Sequence, residues 1–352
     1  MSSVFPLINY PFNNSGMVFR DDHGKPEERY KTFHFDELPK DEVPANAEAH
    51  SRYGLYGVTS PDGYHWTKHP RPLIRYFSDT FNIANWDPLL KKYVGFFRHH
   101  LSGRTISRAE TEDYWNWPPP EPLLYSDPLD NPADDYYTSC YTTYPDDPSL
   151  RLLFPSIYHR DTDLVDLRMA ISRNGHVFQW VSYSPILPVG ANGAWDGGSI
   201  YANPSLVHLP NGDLALPYEA YNSVHNEAFF KNYYREFDSR CAVGWAVWKD
   251  GRLAGIEAEH RGEFTTNALP ANGDQILINA RTTRAGSVLV ELRQGGKPIE
   301  GFRFEDSVPF SGDEIWKPIR WKGKESLGEL RGKKLEAGFR LHSAKVFGIR
   351  YA

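Results

Sequence analysis

Two carboxylates are the groups in this sequence best placed to do chemistry. Asp79 stands just ahead of an apolar run, in DTFNIANW, and Arg98-His99-His100 end the run that follows, YVGFFRHH. Glu219 lies in LALPYEAY, flanked by apolar residues, where strand patterning alone would not choose an acid. A buried Glu keeps its proton to higher pH and can serve as a general acid. An ionised carboxylate facing it then supplies the base or nucleophile, which is what cleavage of a glycosidic bond requires. Asp196, in GAWDGGSIY, is a third candidate acid, although an Asx turn among glycines also accounts for it. Asn14, Asn82, Arg98, His99, His159, Trp195, Tyr201 and His225 are the candidate substrate-binding residues. Amides and carboxylates pair with sugar hydroxyls, and aromatic faces stack on the apolar face of a sugar ring. The expected partner is therefore a carbohydrate.

The elements that must position these residues are short strands. The stretches 16–35, 82–97, 140–158 and 203–221 each read as a strand, an Asp-rich or Gly-rich turn and a second strand. Tyr30, Tyr93, Leu152 and Leu214 hold matching places in them, 63, 59 and 62 residues apart. A second motif interleaves at 60–74, 107–124 and 172–187, with KDGRLAGI, 249–256, as a weaker fourth copy. Four strands per unit at about 60 residues describe a propeller blade. The expectation is an all-β chain: a five-bladed β-propeller over 1–261, closed in part by the N-terminal strand. A C-terminal β-sandwich follows over 262–352, with early strands that can complete the propeller. In a blade, the start of the first strand and the end of the second lie at one face. Asp79 and Arg98 should therefore converge at a common mouth, while Asp21, Asp87, Asp147 and Asp213 sit in turns at the opposite face. Those turn acids read as structural.

Composition narrows the classes. Aromatics make up 14% of the 352 residues, with ten Trp and 21 Tyr, and Gly and Pro are frequent throughout. Net charge is −6, with Lys and Arg dispersed, which argues against nucleic acid as a partner. No run of 18 apolar residues exists to span a membrane. The chain as given starts without a basic, then apolar, leader, so a cytoplasmic location is expected, or a secreted one where a leader has been removed. Cys140 and Cys241 read as two buried thiols, with a single bridge as the alternative. No cofactor or metal is expected: the histidines lack ligand spacing, and HRDTD, 159–163, is only a weak match to a calcium loop.

The segments ERYK, SPDGYHWT, DTFNIANWDPLLKKYVGFFR, ISRNGHVFQW, GAWDGGSIY and the tail from VELRQGGKP to IRWKG resemble the five-bladed propeller glycoside hydrolases, the fold of families 32, 43 and 117. The resemblance spans nearly the whole chain. It implies a funnel on the propeller axis with three acids, one each from blade one, blade two and a later blade. Asp79 matches the blade-two acid, and Glu219 is the candidate acid from blade four. Asn13-Asn14 stand where the blade-one acid would be, and the family 32 markers WMNDPNG and Glu-Cys are missing. The activity implied is exo-acting hydrolysis of a plant, algal or microbial glycan. Two alternatives remain. One is a lyase on a uronic-acid glycan, using groups such as His99, His159, His225, Arg98 and Tyr201. The other is a propeller that binds carbohydrate without catalysis.

Overall fold

The computed structural model describes residues 16–43, 45–101, 103–226, 240–324 and 326–352. Among these there are strands and short 3-10 turns but no α-helix, as the turn-rich, aromatic sequence leads one to expect. No helix is long and apolar enough to cross a membrane. The chain divides into two compact units, residues 1–207 with 215–246, and residues 208–214 with 247–352.

The first unit begins with two antiparallel meanders of four strands. The first comprises β1 (Phe19–Arg20), β2 (Tyr30–Glu37), β3 (Tyr53–Ser60) and β4 (Thr67–Lys68). The second comprises β5 (Ile83–Asp87), β6 (Lys92–His100), β7 (Arg104–Thr111) and β8 (Glu121–Leu124). Gly16 bridges Asn82 in parallel, which sets the entry to one meander beside the entry to the next. Phe19, Phe33, Leu55, Tyr93, Phe97, Tyr114 and Trp117 form a shared core between the two.

The third repeat contains the expected hairpin, with Leu152 opposite Thr142, but the strands around it join a second sheet. Its strands are β9 (Asp134–Thr138), β10 (Tyr141–Tyr144), β11 (Asp147–Leu153), β12 (Ser156–His159), β13 (Val165–Leu167), β14 (Ala170–Ser172) and β15 (Gln179–Trp180). Sheet β10-β11-β14-β15 repeats the meander, whereas β9, β12 and β13 join a second sheet with β16 (Ser199–Ala202), β17 (Val207–His208), β18 (Leu214–Tyr221) and β19 (Cys241–Trp248). Cys140, between β9 and β10, adopts a left-handed φ of 42°, so one continuous run of sequence feeds two sheets. The fourth hairpin forms within 203–221 as β17 and β18, and β16 pairs the other edge of β18, with Tyr201 opposite Glu219.

The second unit is one six-stranded sheet. Its strands are β20 (Ile256–Thr265), β21 (Leu269–Pro270), β22 (Ile276–Gln294), β23 (Lys297–Pro298), β24 (Asp313–Pro318) and β25 (Lys334–Tyr351). The long strands β22 and β25 pair over most of their length and enclose Ile278, Val290, Leu292, Phe339 and Leu341. KDGRLAGI is not a fourth outer hairpin, because β20 pairs with β25 instead. The expected boundary at 261/262 falls inside β20, and the compact units divide at 246/247. Cys140 is buried, Cys241 is exposed, and both are free thiols, so neither the bridge nor two buried thiols describes them.

The turn acids do more than turn chemistry. Asp87 Oδ1 accepts the amides of Leu89 and Leu90, both at 2.9 Å. Its two oxygens also take Arg151 of the next meander, Nε to Oδ2 at 2.6 Å and Nη2 to Oδ1 at 2.9 Å. Both side chains are 2% exposed. Asp21 repeats the pattern, accepting Lys31 Nζ and the Tyr93 hydroxyl at 2.7 Å each. Burial pushes the Asp87 carboxyl up, but the hydrogen bonds and charge of Arg151 outweigh it and hold the group below its ordinary value. Losing a turn cap alone costs about 1 kcal/mol. Breaking a buried pair strands a charge and costs about 3–5 kcal/mol. Asp87→Ala should therefore lower unfolding free energy in urea by about 3–5 kcal/mol. A loss near the cap value would mean that the Arg151 pair contributes nothing.

Candidate active site

The end of β6 and the loop before β5 meet as hairpin geometry requires. Arg98 Nη1 donates to Asp79 Oδ1 at 2.5 Å; the arginine side chain is 2% exposed and the aspartate 46%. Ser78 sets this corner. Its hydroxyl accepts the Arg98 backbone N–H at 2.9 Å and donates to Asn82 Oδ1 at 2.5 Å. Asn82 Nδ2 returns to the Ser78 and Thr80 carbonyls at 2.9 and 3.0 Å. Asn82 is wholly buried and shapes the loop, so its amide is structural rather than a sugar contact.

From Arg98 the contacts continue. Its Nη2 donates to the Tyr137 carbonyl at 3.3 Å, and its guanidinium lies 4.4 Å from the centre of the Tyr137 ring. Tyr137 meets the His225 ring edge-on at 4.6 Å and the Tyr201 ring at 6.1 Å. Tyr158 lies 5.0 Å from His225. The Tyr201 hydroxyl and His225 Nδ1 are hydrogen-bonded at 2.5 Å. Burial pushes the Tyr201 hydroxyl well up, so it keeps its proton. Burial, joined by the charges of Arg104 and Arg98 and opposed by Asp163, holds His225 below its ordinary value. The lowered value keeps the imidazole neutral near pH 7.

Glu219 faces this group. It stands opposite Tyr201 in the ladder, and neighbouring positions of antiparallel strands share a face. Burial raises its pKa. Asp79, Arg98, Tyr137, His225 and Tyr201 thus form one arc of contacts, with Glu219 in register opposite Tyr201.

Strand parity excludes the other candidates. His99 alternates away from Arg98 and is hydrogen-bonded to Tyr76 through Nδ1. His159 alternates away from Tyr158. Its Nδ1 meets Asp134 at 2.6 Å and its Nε2 meets Asp166 at 3.2 Å, and Asp134 also takes Arg168 at 2.5 Å. The Asp134 and Asp166 bonds raise the His159 pKa to about 9. It is a structural cation. Asp196 accepts the Tyr218 hydroxyl at 3.3 Å, and Trp195 stacks on Tyr218 at 5.4 Å. Tyr218 lies on the face of β18 opposite Glu219, so Asp196 and Trp195 do not join the arc. Asn14 lies outside the described residues.

Three residues of the site are not apparent from sequence. Asp163, at a left-handed φ of 61°, accepts the Tyr158 hydroxyl and the Asn226 amide N–H at 2.9 Å each. Its carbonyl accepts the His225 N–H at 2.9 Å, so it seats the histidine. Arg104 approaches the Tyr137 and Tyr158 rings at 5.3 and 5.6 Å. Tyr158 itself is the third. Among the described residues no group of three or more His, Cys, Asp or Glu side chains is arranged to hold a metal.

No family model and no curated protein matches the chain. Solved structures do match. An N-acetylgalactosamine deacetylase from F. plautii, in complex with blood group B trisaccharide, is 13% identical with a TM-score of 0.43, covering 67% of this chain and 89% of that one. An endo-arabinase from Bacteroides thetaiotaomicron is 12% identical, TM-score 0.43, covering 71% and 84%. A glycosyl hydrolase from Bacteroides ovatus is 12% identical, TM-score 0.44, covering 66% of this chain and 65% of that one. These are likenesses of form, and the functional reading rests on the residues above.

The two histidines should separate in an NMR titration. His225 should titrate below 6.5 and His159 near 9. The raised folded value of His159 means its contribution is complete below 6.5 and is lost as pH rises through about 9. That loss is about 3 kcal/mol of unfolding free energy. His159→Gln should flatten this alkaline decline; an unchanged slope would assign the decline to another group.

Proposed function

We propose that the arc is the active site of an enzyme that cleaves glycosidic bonds in a glycan by hydrolysis. The supporting observation is the run of neighbouring residues from Asp79 through Arg98, Tyr137 and Tyr201 to Glu219, which links two carboxyls of different character. Burial raises the Glu219 pKa, which suits a general acid that gives its proton to the leaving oxygen. Asp79 is half open to solvent and ion-paired to Arg98, which suits a base that activates water or a nucleophile that attacks carbon. Tyr137, partly exposed over the buried Tyr158 and Tyr201, offers a ring for the apolar face of a sugar.

The architecture that goes with this reading is a five-bladed propeller with a C-terminal sandwich. Repeated four-stranded meanders and the parallel Gly16–Asn82 bridge favour it. The Tyr201–His225 hydrogen bond, with Arg98 beside it, favours a second reading, elimination from a uronic-acid glycan.

Product analysis separates the two: hydrolysis releases a saturated reducing sugar, elimination an unsaturated product that absorbs in the ultraviolet. Loss of acid assistance costs about 10²–10⁴ in rate, and less for a good leaving group. Glu219→Gln should thus fail on a natural glycan yet keep much of its rate on an aryl glycoside. Asp79→Asn should fail on both while remaining folded by near-ultraviolet circular dichroism. Wild-type turnover by both variants would sink the carboxylate pair.

A further inference from the structure

Arg104 opens β7 directly after a glycine, in the stretch LSGRT. Its backbone N–H donates to Asp135 Oδ1 at 3.1 Å, and its Nη1 donates to Oδ2 at 2.8 Å. The Asp135 side chain is 2% exposed, that of Arg104 34%. Gly103 makes this seat: at its φ of 125°, a Cβ would stand 2.5 Å from Asp135 Oδ1. The guanidinium then rests beside the Tyr137 and Tyr158 rings at 5.3 and 5.6 Å. A cation held by a buried carboxylate and by two rings has little freedom left to lose on binding.

The seat uses one end of the guanidinium. Nε and Nη2, which form its other edge, have no hydrogen-bond partner among the described residues. Two parallel N–H donors on one planar edge match the two oxygens of an oxyanion. Nor does Asp135 neutralise the region, because Arg160 Nε also lies 3.6 Å from its Oδ1, so one carboxylate stands between two guanidiniums. The Tyr137 ring is shared with the arc as well: the guanidinium of Arg98, which holds Asp79, lies 4.4 Å from its centre. The charge of Arg104 is felt at His225 and at His100.

We propose that the free Nε–Nη2 edge of Arg104 recognises an oxyanion substituent on the substrate sugar, so that the site acts on acidic glycans. The inference rests on the arc being a glycan-cleaving site. A hexuronate carboxylate and a sulfate ester share the required chemistry, and the probes below distinguish them.

Non-cleavable monosaccharides test it on the full chain by NMR titration: galacturonate, glucuronate, galactose 6-sulfate, and neutral galactose and glucose. At least one acidic sugar should bind about tenfold or more tightly than its neutral counterpart, the range expected for a charged bidentate contact. Arg104→Lys keeps a cation for Asp135 but loses the edge. It should erase that tenfold preference for the acidic over the neutral sugar and melt near wild type. Preference for the carboxylates over the sulfate assigns a uronate, and the reverse a sulfate ester. Equal binding of acidic and neutral sugars, no binding of any acidic sugar, or an unchanged preference in Arg104→Lys overturns the proposal. Cleavage of a neutral glycan that still depends on Glu219 would remove this inference alone. Acidic-sugar binding that persists while Glu219 and Asp79 prove dispensable would remove the hydrolytic reading and leave the anion site standing.

Discussion

A buried carboxylate at the turn of one meander, bonded to the second strand of the next, sets the geometry of the first unit. Asp87 reaches Arg151, and Asp21 reaches Tyr93. Each is a charged contact with almost no access to water, so it is strong only when both partners are correctly placed. These contacts fix the turn ends of consecutive sheets against each other. The opposite strand ends are then free to carry side chains chosen for chemistry. Arg98 and Tyr137, which come from different sheets, could not be held in contact if the sheets rotated about their shared core.

Much of this was legible. Aromatic, β-branched runs cut by Asp and Gly turns define antiparallel meanders, and a hairpin brings its first and last residues together. That rule alone predicts that Asp79 meets Arg98. It also separates turn acids from mouth residues, since the turn lies a full strand length away. What sequence could not supply was parity. Moving one residue along a strand reverses the face, so His99 and His159 are near-neighbours of Arg98 and Tyr158 in sequence and point away from them. Asp196 and Trp195 fall to the wrong side for the same reason, through Tyr218 rather than Glu219.

The residues that sequence missed share a different cause. Arg104, Tyr158 and Asp163 become neighbours of His225 because the third repeat bends. Cys140 and Asp163 both take left-handed conformations without being glycine. Nothing in their local patterns announces it, because the bend is fixed by pairing with β16 far along the chain. The structural cation His159 was hidden similarly: Asp134 and Asp166 flank it from two other strands. The same reach explains the electrostatics of the arc, where Arg98, Arg104 and Asp163 act together on one imidazole.

The bent strands also bear on how such a chain can change over evolutionary time. A repeat whose strands all lie within one sheet can be copied, lost or exchanged as a cassette, since its neighbours touch only its faces. The third repeat cannot. Its strands run from the β10-β11-β14 sheet into the sheet that holds β16 and β18. Removing it would tear open both sheets, and duplicating it would leave unpaired edges in each. Loss or duplication of the third repeat alone would therefore break the one sheet that carries Glu219, Tyr201, Tyr137 and Tyr158.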